Sequence, residues 1–226
     1  MLKRVLFLIA FSSLIWTSCT KENNAPAIDL QPEFYPLNVG AVYIYDVDST
    51  AYSNFTGGKV QYQFQLKDSV ADTFTDLTGQ VNYRIERYKR NTVNDAWKIQ
   101  QVYSRNKSIR AAEEFINNQR FIRLVFPPLR GSEWNGNSKN TLDKQEYTIE
   151  DDISPLTVNT LNFDSTVTVK EIDEFNLIKE DLVKSTYAKN VGLVQKTVTD
   201  IEKNISTGVI TNGRIYSYKL SAYKQP

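Results

Sequence analysis

The sequence predicts an all-β chain: an antiparallel, strongly curved sheet or open barrel, with a β-sandwich as the alternative. Three observations carry this. Thirteen Tyr and eleven Phe accompany many Val, Ile and Thr, the residue types that fit a pleated, half-buried surface. Apolar and polar residues alternate with period two, most cleanly where Val60, Tyr62, Phe64 and Leu66 interleave with Lys59, Gln61, Gln63 and Gln65. Turn signals recur every ~8–12 residues, the spacing of about ten to twelve short strands.

The chain begins outside that pattern. Lys3 and Arg4 precede residues 5–16, an apolar run broken by Ser12 and Ser13. A bilayer span takes ~20 apolar residues, so this run is too short to cross and has the proportions of a secretory signal peptide, residues 1–18. Cys19, the one cysteine in the chain, follows Thr17 and Ser18 and resembles the cysteine of a lipobox. That resemblance implies a thiol acylated by fatty-acyl groups, palmitate among them, and a mature chain that starts at Cys19. Each buried CH₂ contributes about 0.8 kcal/mol, so several acyl chains make a stable membrane anchor. Residues 19–33 are polar, carry Pro26 and read as the lipidated cysteine and a flexible tether. Lys21-Glu22 resembles the surface-export signal of Bacteroidetes-type lipoproteins, with Asn23 in place of a second acid. The expectation is an outer-membrane lipoprotein, with the cell surface favoured over the periplasmic face.

Residues 34–226 read as a single β-rich domain. Phe34-Tyr35-Pro36-Leu37-Asn38-Val39-Gly40 is a turn-forming lead-in to a strand at 42–48, with Tyr43, Tyr45 and Val47 on one side. Thr56-Gly57-Gly58 connects it to the strand holding Val60–Leu66 as a hairpin. Val81, Tyr83 and Ile85 alternate next, followed by strands at 97–103, around Ile109 and at 121–126. Phe126-Pro127-Pro128-Leu129-Arg130-Gly131 before Trp134 echoes the first lead-in and suggests two related halves meeting near residue 126. Asn135-Gly136 reads as a tight turn. Further strands fall at 145–150, 162–170, 184–189, 193–202 and 214–224. Residues 111–118 and 171–183 are the two places for short helices, though neither has an apolar stripe.

Several of these segments together resemble a group of uncharacterised Bacteroidetes lipoproteins. They are Pro36-Leu37-Asn38-Val39-Gly40, Gly131 with Trp134-Asn135-Gly136-Asn137, and Tyr187-Ala188-Lys189-Asn190-Val191-Gly192-Leu193-Val194. The resemblance implies an extracytoplasmic β-rich lipoprotein and assigns no activity. In such proteins the last segment has Gly where this chain has Asn190; Asn is the non-glycine residue best able to take the left-handed conformation, so the turn is expected to persist. A more distant likeness is to the curved sheets of lipoprotein-localisation factors, which enclose an acyl chain.

Composition narrows function mostly by exclusion. Without the signal peptide, 25 basic residues stand against 26 acidic ones, which argues against nucleic acid or anionic lipid held by bulk charge. Histidine is absent and the single cysteine is committed, so Ser-His-Asp and Cys-His nucleophiles and the common zinc sites have no residues to use. No cofactor or metal is expected; Asp46, Asp48 and residues 150–152 lack the ligand spacing of a calcium loop. Glu113-Glu114 and Glu150-Asp151-Asp152 leave room for a carboxylate-dependent glycan hydrolase. The favoured reading is a non-catalytic binding or structural module for an apolar, glycan or protein ligand. Trp97 and Trp134 are its candidate ligand-binding aromatics, with Trp134 expected to be exposed beside its turn. Asp48-Ser49-Thr50, Asp68-Ser69-Val70 and Asp164-Ser165-Thr166 resemble the O-glycosylation sequons of this bacterial group, which would modify Ser49, Ser69 and Ser165. Charge is uneven along the chain: residues 84–130 hold eleven basic and four acidic residues, whereas 143–183 hold eleven acidic and three basic. Pairing between these stretches is favoured over a basic face for an anionic partner.

Overall fold

Alternation with period two puts one set of side chains on each face of a strand, and here it runs nearly the length of the chain. The computed structural model describes residues 28–55 and 58–226; the signal peptide, Cys19, most of the tether and Thr56-Gly57 lie outside the described residues. Among the described residues, thirteen strands form one antiparallel sheet: β1 (Val42–Ser53), β2 (Gly58–Thr75), β3 (Val81–Arg90), β4 (Lys98–Lys107), β5 (Ala111–Ile116), β6 (Gln119–Val125), β7 (Glu133–Asn135), β8 (Glu146–Ile149), β9 (Ser154–Val158), β10 (Leu161–Phe175), β11 (Lys179–Ala188), β12 (Gly192–Lys203) and β13 (Ile210–Lys224). The path runs β6-β5-β4-β3-β2-β1-β13-β12-β11-β10-β8-β7, with β9 beside β10. First and last strands therefore pair in the middle, from Val42 opposite Lys224 to Ser53 opposite Asn212.

The sheet curls until its edges meet, the strongly curved sheet that the sequence predicts and not a sandwich of two sheets. Ile122 N–H of β6 donates to the Gly136 carbonyl just after β7 (2.9 Å), and the Trp134 indole N–H returns a bond to the Ile122 carbonyl (2.9 Å). Gly136 is required here because a Cβ would lie 2.5 Å from the Tyr147 ring. It is a close-approach glycine ending β7, and the Asn135-Gly136 pair is not the hairpin turn expected from sequence: the next strand begins only at Glu146. Trp134→Phe removes the seam's indole bond and keeps the ring that packs edge-on to Tyr147 at 5.8 Å. It is expected to destabilise the protein by about 1 kcal/mol in urea unfolding.

One end of the barrel is closed. The 3₁₀ turn Pro32–Phe34 and the residues after it enter the interior, where Phe34, Tyr35 and Leu37 are buried against Leu124, Phe126, Ile149, Val167 and Val169. The segment is pinned by Asn190 N–H to the Glu33 carbonyl (2.8 Å) and Gly40 N–H to the Val70 carbonyl (2.8 Å). Asn190 holds the left-handed turn at φ 63°, as expected for the residue replacing glycine. The opposite end is open and is built up by the long strands β1, β2 and β10 to β13.

The two places left open for short helices are strands and turns. Residues 111–118 form β5 and an Asn117-Asn118 turn with both φ positive (52° and 60°), the conformation of a tight hairpin. Residues 171–183 are the end of β10, a turn at 176–178 and the start of β11. Continuous pairing on both sides, Glu174 with Asp181 and Asp181 with Asp200, outweighs the weak local helix preference.

Candidate functional site

The register places the inward-facing side chains of the open end in rows. Ser49 lies opposite Tyr62 on one side and Tyr216 on the other; Val47 lies opposite Phe64 and Tyr218. Toward the closed end these rows are packed: Tyr45, Leu66 and Leu220 are buried. Toward the open end the same faces reach solvent, and Tyr62 is 49% exposed although it continues the row of Leu66. The result is a hollow of about 790 Å³, the cup, lined by Tyr62, Tyr216, Tyr218, Arg87, Lys89 and Arg214 among others, and by no Asp or Glu. The Tyr216 and Tyr218 rings lie 5.4 Å apart and 31° from parallel, and Lys89 Nζ sits 4.0 Å over the Phe64 ring. Burial pushes the Tyr216 phenol up to about 12, so the platform stays uncharged and able to donate.

Below the cup, sharing Arg87, Tyr216 and Tyr218 with it, is a chamber of about 160 Å³ with Tyr35 of the closing segment in its lining. Charged groups bank it. Asp68 accepts a two-pronged bond from Arg87 (Nε to Oδ1 and Nη2 to Oδ2, both 2.7 Å), and the Tyr103 hydroxyl donates to Oδ2 (2.8 Å). Arg105 donates to the Tyr103 oxygen (3.0 Å) and to Glu114 Oε2 (3.1 Å), whose Oε1 accepts from Arg123 Nε (3.1 Å). Arg123 Nη1 continues to Tyr147 Oη and Glu171 Oε2, both 3.1 Å. Lys196 Nζ donates to both Glu171 oxygens at 3.0 Å, and the Ser185 hydroxyl caps Oε1. Seven ionised side chains thus run as one network, each at most 18% exposed.

Burial pushes the Glu114 carboxyl up, but Arg123 and Arg105 more than reverse it and hold it at about 2. Burial likewise opposes ionisation of Asp68 and Glu171, and their cations (Arg87 and Arg105 for Asp68, Lys196 and Arg123 for Glu171) bring both below the usual carboxylate range. Lys196 ends below its ordinary value because desolvation exceeds the pull of Glu171. Burial raises the Tyr35, Tyr103 and Tyr187 phenols, which stay neutral.

Of the residues singled out from sequence, Ser49 lines the cup and Glu114 the chamber, and the others lie elsewhere. Trp134 is half-buried and fixed in the seam, not exposed beside a turn. Trp97 is half-buried before β4, with Arg90 4.3 Å and Lys67 5.0 Å over its ring, and it does not line the cup. Ser49, Ser69 and Ser165 lie within β1, β2 and β10, not in turns; Ser49 is buried, and Asp68 of the second sequon is the network's carboxylate. Glu113 and Glu114 are neighbours on a strand and so face opposite sides: Glu113 meets Lys139 and Arg120, while Glu114 meets Arg105 and Arg123. Glu150 pairs with Lys184 and Asp152 with Arg130. Asp46 and Asp48 accept from Gln65 and Gln63. Among the described residues no cluster of three or more potential metal ligands is found. The basic stretch pairs with the acidic one at Arg123–Glu171 and Arg130–Asp152, but most of its partners (Asp68, Asp72, Asp76, Glu113 and Glu114) lie outside that stretch.

No family model matches the chain, and no curated protein matches it. Solved structures similar to it include a protein provisionally described as a lipoprotein from Parabacteroides distasonis ATCC 8503, with 13% identity and a TM-score of 0.40 over 84% of this chain and 98% of that one. Another is an exported protein, also provisionally described, with a YmcC-like fold from Bacteroides fragilis NCTC 9343, with 10% identity and a TM-score of 0.41 over 85% and 99%.

Proposed function

We propose that the protein is a lipid-anchored, non-catalytic binding module of the cell envelope whose cup holds a hydroxyl-rich ligand, a glycan segment. The observation that carries this is the cup's lining: tyrosine faces and cationic donors around a solvent-reached hollow that no carboxylate enters. Flat rings offer stacking surfaces to sugar rings, and the donors match hydroxyl oxygens. An acyl chain fits poorly, because the hollow leads down to a buried ionic network and desolvating those charges against a hydrocarbon is unfavourable. Hydrolysis fits poorly too. A general acid needs a raised pKa, whereas Glu114 and Glu171 are held low by their cations. The described chain enters at the closed end, opposite the mouth of the cup. Display at the outer-membrane surface is part of the proposal, and protease shaving of intact cells tests it: the folded domain should be lost without lysis.

The binding test is a panel of neutral and acidic oligosaccharides screened for retention, with the retained members measured by calorimetry. Tyr216→Ala should weaken the best of them about tenfold, ~1.4 kcal/mol, with the fold checked by circular dichroism. Retention of a labelled fatty acid and of no glycan would overturn the reading.

A further inference from the structure

We infer that the chamber beneath the cup receives the carboxylate of an acidic sugar whose ring lies in the cup. This rests on the glycan reading above and adds the class of glycan. Three carboxylates, Asp68, Glu114 and Glu171, face four cations, Arg87, Arg105, Arg123 and Lys196, so one positive charge is left over in a place that water screens little. Every oxygen of the three carboxylates already accepts at least one bond. Each carboxylate is thus already held by cationic donors, and the network as a whole repels a further cation.

Donors remain. Arg87 is bonded through Nε and Nη2, and Arg105 likewise, which leaves Nη1 of each without a hydrogen-bond partner among the described residues, although both guanidinium groups lie over tyrosine rings. Neither Nη1 is a sealed, unsatisfied atom, and both residues line the chamber. Two guanidinium edges and one surplus charge suit a planar, singly charged acceptor, which is a carboxylate. A dianion such as a phosphate monoester would carry one uncompensated charge into a desolvated space. The volume of about 160 Å³ equals roughly five waters at ~30 Å³ each, enough for a carboxylate that keeps part of its hydration. Because Arg87, Tyr216 and Tyr218 line both spaces, a sugar stacked on the tyrosines has its acidic substituent beside Arg87.

The test is calorimetric titration of the whole protein with D-glucuronate, D-glucose and acetate at constant ionic strength. Glucuronate is expected to bind at least tenfold more tightly than either of the others. Arg105→Lys, which keeps the charge and loses the spare guanidinium edge, should close the gap between glucuronate and glucose. Tyr35→Phe, which keeps the ring packed and removes a hydroxyl at the chamber, should narrow it several-fold, with melting curves checking that both variants fold. Equal affinity for glucuronate and glucose would overturn the inference and leave the glycan cup standing. Acetate binding as tightly as glucuronate would make the chamber a site for free small acids and overturn the sugar part. Binding of none of the three overturns the inference, and the oligosaccharide panel then decides separately whether the cup holds a glycan at all.

Discussion

Replacing Asp68 by alanine is expected to lower the unfolding free energy by about 3–5 kcal/mol, the cost of leaving buried charge without its partner. Asp68 is fully buried and accepts from three donor atoms, two on Arg87 and one on Tyr103. Without it, Arg87 and Arg105 face each other across Tyr103 with no anion between them, and the chamber's surplus rises by one positive charge. The comparison that gives the number meaning is Lys144→Ala. Lys144 pairs with Glu146 at 2.7 Å, but the two side chains are 68% and 51% exposed and solvent screens the pair, so its loss should cost far less than that of Asp68. Urea unfolding of both variants at pH 7 decides. If Asp68→Ala costs no more than Lys144→Ala, the network is not what holds the middle of the barrel, and the charge count behind the chamber loses its basis.

Much of the fold was legible because strand alternation is a local signal. The inward rows of β1, β2 and β12 are written in the chain as Tyr43-Tyr45-Val47, Phe64-Leu66 and Val194-Val198, each with one residue or more skipped between. What could not be read is which strands become neighbours. Tyr216 and Tyr218 form a platform with Tyr62 only because the last strand returns to pair with the first, a contact across more than 150 positions whose register no short segment encodes. Trp97 and Trp134 are the larger aromatics, yet the sheet uses Trp134 to close its seam, and the solvent-reached aromatic surface falls to Tyr62, Tyr216 and Tyr218, whose period-two spacing is also that of ordinary core. The network did leave a trace. Asp68 interrupts the apolar phase of Leu66 and Val70, Lys196 that of Val194 and Val198, and Glu171 follows Val167 and Val169. A charged residue in the buried phase of a strand requires a partner. Three such interruptions on separate strands are the sequence trace of a shared interior site, and Glu171 is the least visible of them because it also fits the start of a short helix.

Acid should unfold this protein through the same groups, and the effect is as large as that of any single substitution. Glu114 is held at about 2 in the folded state against 4.5 for an unperturbed glutamate. A carboxyl whose folded pKa is depressed stabilises the fold fully above the unfolded value, and that contribution is lost as pH falls through the folded one. For Glu114 the window runs from pH 4.5 down to about 2, and the shift corresponds to about 3 kcal/mol at 1.36 kcal/mol per unit. Asp68 and Glu171 are lowered as well and add loss of the same sign. With no histidine in the chain, little titrates between pH 5 and 8, so stability should be nearly level there. On the alkaline side the buried phenols act in the opposite sense. Their folded values are raised, Tyr216 to about 12, so the stability they contribute is complete below pH 10 and is lost above it. Unfolding free energies measured from pH 3 to 8 should trace a plateau with a steep acid edge, and Glu114→Gln should flatten part of that edge while lowering the plateau. A protein as stable at pH 3 as at pH 7 would show that Glu114, Asp68 and Glu171 are not ion-paired as drawn, and both the buried network and the anion chamber built on it would have to be abandoned.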